Sequence, residues 1–539
     1  MTHRAPLLAF ASLSVLATLT LPGSAMAQSA PSTDFRTSAH CATCHSSMKT
    51  AKGEPASIAG DWRAGIMANA ARDTYWQGSV RREALDHPQA SAAIQTECAT
   101  CHMPLQFLQD KAQGHATEVF KRLPLHPADP DDAAADGVSC TVCHQIQSAG
   151  LGTLATYSGN FNVAEPGTQP RPLFGPFDTS AQIAKIHTVS TGYATVQSAH
   201  VRDAGLCGSC HTLYTNTLGP DGKPAGRFPE QMPYLEWQHS DYHDKQTCQQ
   251  CHMPAVDGQA PIASLMAQPR DGVRLHTFVG ANFVVENMLE SHHDDLAVSA
   301  DPAALKSAAA QTTSFLQSQA AQVEIAPAQS GNGEFTFAVR VKNLTGHKLP
   351  TAYPSRRAWL HVTVTGPDGK VVFESVKLNP DGSIAGNAND ADAARYSPHY
   401  SLITTADEVE IFEPILGDAQ GHVTTALLST TQYLKDNRIL PAGFDKKTAS
   451  EDIAVRGEAA GDPDFTGGSS VTNYKIATSA GGPFHIAAEL LYQPIGFRWA
   501  RNLAPYKADE TQRFAHYYDE AAAHSAAVLA HAEASGGSH

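Results

Sequence analysis

CATCH, carrying Cys41, Cys44 and His45, is the first of five Cys-x-x-Cys-His motifs whose reading decides the fold of the first half of this chain. A second CATCH carries Cys98, Cys101 and His102. CTVCH carries Cys140, Cys143 and His144, CGSCH carries Cys207, Cys210 and His211, and CQQCH carries Cys248, Cys251 and His252. Together they use all ten cysteines. The pattern is the attachment motif of haem c. Two thiols form thioethers to the porphyrin, and the histidine beside the second thiol becomes the proximal iron ligand. A zinc site needs two Cys-x-x-Cys halves and gives no reason for a histidine after each one. A thioredoxin-like pair comes singly on a βαβ unit. A chain of 539 residues builds its own core and needs no five-disulfide framework. The motifs therefore imply five covalent haem c groups.

The motifs span 212 residues, about 42 for each haem. At that density the porphyrins supply much of the core. Short helices and long loops around closely spaced haems are expected, with little sheet. Close haems pass electrons, so the pattern points to redox protein partners, a donor and an acceptor. The 53 acidic against 38 basic residues argue against nucleic acid and allow docking to a basic partner.

His3 and Arg4, an apolar stretch from Leu7 to Leu21 and the Ala25-Met26-Ala27 site read as a secretory leader cleaved after Ala27. No later stretch is long and apolar enough for a transmembrane segment. The expected address is periplasmic or exported, where covalent haem attachment takes place.

What fills each iron's sixth position decides between a closed electron-transfer haem and a reaction site. Residues 61–83 read as an amphipathic helix with Trp62, Ile66, Trp76 and Val80 apolar. Met67 on it is either a soft ligand or core filling. His200 lies shortly before Cys207. His239 and His243 precede the fifth motif, with His239 favoured. His276 opens HTFVGAN, and His40 directly precedes Cys41. His115, His126 and His187 read as surface histidines, as does the pair His292 and His293.

Beyond Cys251 the composition changes. Residues 303–322 have helical spacing. After Gly331 the period becomes two: Phe335, Phe337, Val339 and Val341 alternate with polar or small residues, as do Leu360, Val362 and Val364. Pro367-Asp368-Gly369 turns the chain into Val371-Val372-Phe373, a hairpin. Further runs at 409–412, 422–428 and 484–492 suggest an antiparallel β-sandwich, closed by a helix over 509–532. Between two of its strands, NLTGHKLPTAYPSRRAWL presents His347, Lys348, Arg356 and Arg357. Histidine suits an iron, and Arg356 and Arg357 suit haem propionates. The oxygen-rich run 387–392 is a candidate Ca²⁺ loop, although a solvated turn fits it better because the spaced ligand pattern is missing.

The fold class is therefore α+β. A leader over 1–27 precedes a mainly helical and loop-rich pentahaem domain over 28–300. A connecting helix over 301–325 leads to a β-sandwich-like domain over 326–505, followed by a C-terminal helix and tail over 506–539.

The five motifs, the DWRAGIMANAARDTYW stretch, CHMP after the second and fifth motifs and HTFVGAN together resemble bacterial multihaem c-type cytochromes, related to the tetrahaem cytochromes of ammonia oxidisers. The NLTGHKLP loop resembles the GHxxP loop of a β-domain appended to many of them. The resemblance covers most of the chain. It implies distal roles for His276 and His347 and suggests one for Met67, near the place where relatives carry a histidine. With His200 and His239 these make five candidate distal ligands for five haems. The function it implies is electron transfer. The alternative is an oxidoreductase with one open haem that acts on a small nitrogen or sulfur oxyanion, with Lys348, Arg356 or Arg357 supplying charge. No CxxCK motif appears, so the proximal lysine of pentahaem nitrite reductases is absent.

Overall fold

The computed structural model describes residues 1–2, 34–126, 131–219, 222–375 and 377–537. The leader over 1–27 and its cleavage site lie outside them, apart from Met1 and Thr2. From Asp34 onward the chain forms one contact unit, and the class is α+β.

The first half is short helices joined by loops. Each Cys-x-x-Cys-His motif begins on a helix: Ser38–Ala42, Ser91–His102, Cys140–Cys143, Ala204–Gly208 and Cys248–His252. One turn of helix puts both thiols and the histidine on one side of the backbone, so the motif's local geometry follows from its spacing. Among the described residues sheet is confined to a parallel pair, Arg171–Gly175 with Tyr193–Gln197, and a hairpin, Leu213–Leu218 with Pro224–Gln231.

The helix expected over 61–83 is broken. Helix Ile58–Ala64 ends at Gly65, where a Cβ would stand 3.0 Å from the Thr277 carbonyl oxygen. The chain restarts as helix Thr74–Asp86, capped by the Asp73 carboxylate, which accepts from the amides of Tyr75 and Trp76. The apolar periodicity runs through the break. A capping acid and a close backbone approach stop the helix where period alone would continue it.

Helix Pro302–Gln319, capped by Asp301, leads into two facing sheets. In one, strand Glu334–Asn343 lies between Ser469–Ala477 and Ala321–Ile325. In the other, Phe484–Gln493 lies between Arg357–Thr365 and Ala527–Gly536. The alternating residues fill the space between the sheets: Phe335, Phe337, Val339 and Val341 from one, Leu360, Val362, Val364, Ile486 and Leu490 from the other. Phe335 packs on Phe484 across the gap, ring centroids 4.4 Å apart. Gly369 closes the expected hairpin with φ +78°, a conformation in which glycine is unstrained.

The closing helix is shorter than its alanine-rich sequence suggests. It covers Asp509–Ala521, and Ala527–Gly536 is a strand paired along Phe484–Gln493. Alanine favours helix in isolation. Here the open edge of the sheet takes the segment, with Leu529 buried in the core. The run over 409–412 is a strand only at Ile411–Phe412, and 422–428 yields Val423–Thr424 and the start of a 3₁₀ turn. The two halves meet where helix Thr74–Asp86 packs on Asp509–Ala521, and Arg81 makes two 2.8 Å bonds to Glu510.

Candidate haem-binding site

The motif histidines are poised as bases. The Nδ1 of His45 donates to the carbonyl of Ile262 (2.6 Å), that of His102 to Ala70 (3.1 Å), that of His144 to Phe174 (2.6 Å) and that of His252 to Val279 (2.6 Å). A carbonyl can only accept, so the proton sits on Nδ1 and Nε2 keeps its lone pair. Burial lowers the pKa of all five motif histidines, to about 4 for His102 and His211. They stay neutral near pH 7, the form a metal needs. No disulfide joins any of the ten cysteines. The chain therefore offers five unbridged thiol pairs, each followed by a neutral imidazole, and this donor set fits five haem c groups.

Two pairs of rings face each other. His144 and His276 have centroids 6.5 Å apart and planes within 18°. His252 and His347 have centroids 6.2 Å apart and planes within 13°. An imidazole nitrogen sits about 2 Å from the metal it ligates and about 1 Å from its own ring centre, so two imidazoles across one ion hold their centroids roughly 6 Å apart. Direct stacking would bring the centroids closer. His276 and His347 also donate Nδ1 to backbone carbonyls, Arg274 at 3.1 Å and Lys348 at 2.9 Å, and burial takes both to about 4.

A third neighbour is one that sequence reasoning placed at the surface. His187 lies close enough to His45 to lower its pKa further, after the larger effect of burial and against the Ile262 bond. Its Nδ1 donates to the Tyr193 carbonyl at 3.1 Å. It sits on helix Ala181–Thr191, in which no residue is fully buried. The helix carries Ile183, Ile186 and Val189 at helical spacing, which was the signal the sequence offered, and Ile186 and Val189 are exposed.

The other expected ligands stand elsewhere. Both ring nitrogens of His200 are engaged, by Ser198 at 2.6 Å and the Ile146 carbonyl at 2.8 Å. His239 bonds the Asp445 carbonyl through Nε2 at 3.0 Å and packs edge-on against Phe444. The Met67 carbonyl accepts from the Ala70 amide, and the Ala70 carbonyl holds His102 Nδ1. The turn carrying Met67 therefore lies behind His102, away from its free nitrogen. His102 stacks on Trp76 with centroids 4.5 Å apart. Among the described residues no histidine ring faces His102 or His211 as in the two opposed pairs.

The thiols show how the motifs neighbour one another. Cys41 lies against Cys140, Cys101 against Cys210, and Cys207 against Cys248. These contacts join the first motif to the third and the fourth to both the second and the fifth, and Cys143 of the third motif lies close enough to Cys207 and Cys210 to raise both thiols, which links the two groups.

The loop bearing His347 is locked from below. Asn343 donates to the carbonyls of His347 and Ile439 at 2.8 Å each. Lys348, fully buried, pairs with Asp436 at 2.6 Å; Arg438 bonds Asp436 at 2.7 Å and Glu236 at 3.0 Å. Glu236 also accepts from the Lys348 amide and the Thr351 hydroxyl. Burial would raise the Asp436 carboxyl, but Arg438 and Lys348 outweigh it and hold it down at about 2. Lys348 falls below its ordinary value, through burial first and then Arg438, against the pull of Asp436 and Glu236. Arg357 points into the sandwich, where it bonds Asp390 and Gln493 at 2.8 Å each. Arg356, half-buried, donates to the Thr351 carbonyl and lies near His211, His252 and His347.

The candidate Ca²⁺ loop is not a solvated turn. Asn387, Asn389 and Asp390 are buried. Asp390 holds Arg357 with one oxygen and the Ile384 amide with the other. Among the described residues no group of three or more His, Cys, Asp or Glu side chains could hold a metal ion, and no helix is long and apolar enough to cross a membrane.

A scan of the chain against protein-family models and a search of the curated proteins find no match. Among solved structures the chain is similar to a penta-heme cytochrome c552 from Thermochromatium tepidum. The identity is 15% and the TM-score 0.49, over 94% of this chain and 100% of that one. Likeness at that level carries no weight for function.

Proposed function

We propose that this chain is an exported pentahaem c-type cytochrome that carries electrons between a donor and an acceptor protein. The observation that carries this reading is the facing of His144 by His276 and of His252 by His347, each pair spaced for one metal ion. Bound haem c supplies an iron that exchanges single electrons. The thioether ligands are Cys41, Cys44, Cys98, Cys101, Cys140, Cys143, Cys207, Cys210, Cys248 and Cys251. The proximal ligands are His45, His102, His144, His211 and His252. The distal ligands are His276 opposite His144 and His347 opposite His252, and His187, which lies near His45, is the candidate for the first haem. His187 takes the place that sequence context gave to His200.

The thiol contacts support an order in which the first haem neighbours the third, the second the fourth, and the fourth the fifth. Arg356 is positioned to pair with a propionate near the fourth and fifth haems. The proposed haem domain is 28–300, with the connecting helix over 301–325, the β-sandwich domain over 326–505, and the C-terminal segment over 506–539. The β-domain then contributes one iron ligand, His347, and the buried charges that hold it.

The oxyanion-enzyme alternative draws less support. Two of the three cations that could supply its charge, Lys348 and Arg357, are buried in ion pairs. Intact-mass measurement of the exported protein tests the proposal: five haems covalently attached after removal of residues 1–27 are expected, and fewer than five would refute it.

A further inference from the structure

A cavity of about 110 Å³ lies among helices Ile58–Ala64, Phe283–Ser291 and Pro302–Gln319 and the segment 277–279. Three of its lining oxygens are buried without a hydrogen-bond partner: Asp61 Oδ2, Glu286 Oε2 and Thr277 Oγ1. Glu286 is only 5% exposed. Its other oxygen accepts from Thr312 at 3.1 Å. Among the described residues no basic side chain lines the cavity. Burial raises the Asp61 carboxyl to about 6 and the Glu286 carboxyl to about 7. Buried acids of this kind ordinarily have an ion-pair or hydrogen-bond partner. Ser307 and Gln311 add neutral oxygens at the exposed mouth.

We infer that this cavity is a binding site for a hard divalent cation of the Ca²⁺ class. Asp61, Glu286 and Thr277 supply the inner oxygens, and Gln311, Ser307 and water complete the shell. Ca²⁺ accepts six to eight oxygen ligands in flexible geometry, including neutral and water oxygens. Two acids with neutral donors therefore suffice, although three acids are not gathered here. The volume leaves room for an ion and a few waters, each of which takes about 30 Å³ of liquid. Two carboxylates balance the double charge.

The cation would tie together segments that support the haem ligands. The Ala59 amide on the first helix bonds the His45 carbonyl. Thr277 follows His276, and the Val279 carbonyl holds His252 Nδ1. The site thus braces three ligand-bearing segments against the helix that leads into the sandwich.

The test uses the haem-loaded protein, stripped with a chelator and returned to CaCl₂ or MgCl₂. Metal analysis is expected to find one Ca²⁺ for every five haems. The thermal midpoint should rise with Ca²⁺ and much less with Mg²⁺. In Glu286→Gln the apparent affinity should fall at least about tenfold, and in Thr277→Val by less. Thr277→Val carries the test if the Glu286 variant fails to assemble. Asp257→Asn, at an exposed acid paired with Lys52, should respond as wild type. The inference is overturned if wild type retains no Ca²⁺. Equal stabilisation by Mg²⁺, an unchanged response in the cavity variants, or dependence on pH alone would overturn it too.

Discussion

His347→Ala removes the imidazole that faces His252 at 6.2 Å and leaves untouched Cys248 and Cys251, the proposed attachment thiols of the fifth haem. The change should open one iron in five. His252 stays fixed by its 2.6 Å bond to Val279, so the proximal side is unaltered. Nothing adjacent in the loop can replace the lost ring: Lys348 is held by Asp436, and Thr345 is bonded to Asn343. The CO-difference spectrum of the reduced variant should therefore exceed that of wild type by one haem equivalent, a fifth of the total haem. The EPR spectrum of the oxidised variant should gain a high-spin signal of the same weight. His276→Ala should give the same increment at the third haem, and the double variant two increments. His200→Ala should give none, because both nitrogens of His200 are bonded to protein. An unchanged CO spectrum in His347→Ala, or a gain in His200→Ala, would refute the reading of the opposed rings.

His187→Ala should likewise add one CO-binding haem, whereas His239→Ala should add none. Lys348→Met leaves Asp436 with one cation instead of two; breaking a buried pair costs about 3–5 kcal/mol, readable by chemical denaturation. Phe335→Ala empties a fully buried ring site between the sheets and should cost about 3–5 kcal/mol while the haem spectrum of the folded protein is unchanged. His399 is buried between Glu410 at 2.7 Å and Asp462 at 2.9 Å. Burial alone would lower its pKa, but the two acids outweigh that and raise it. Its contribution to stability should thus be complete below the unfolded value of about 6.5 and fade as pH rises through the higher folded value. His399→Gln should flatten the stability profile in that window; a profile identical to wild type would count against the pairing.

The helical start of each Cys-x-x-Cys-His motif follows from local chemistry: two thiols and a histidine within five residues lie together on one helical turn whatever surrounds them. The sandwich strands were legible for a similar reason, since a period of two survives in any half-buried strand, as from Phe335 to Val341. The distal ligands were not equally legible. His276 and His347 were named from context and resemblance, but nothing local separates them from His200, which is bonded to its neighbours, or from His187, which lies near His45. His144 and His276 stand far apart in sequence, as do His252 and His347, and only packing brings each pair within reach of one ion. Tertiary structure also decided the fate of Ala527–Gly536, where an open sheet edge outweighed helix propensity, and of Lys348 and Arg357, whose charges burial set against Asp436 and Asp390. Sequence fixes what a residue can bond; for a group with many competing partners, the fold selects which bond is made.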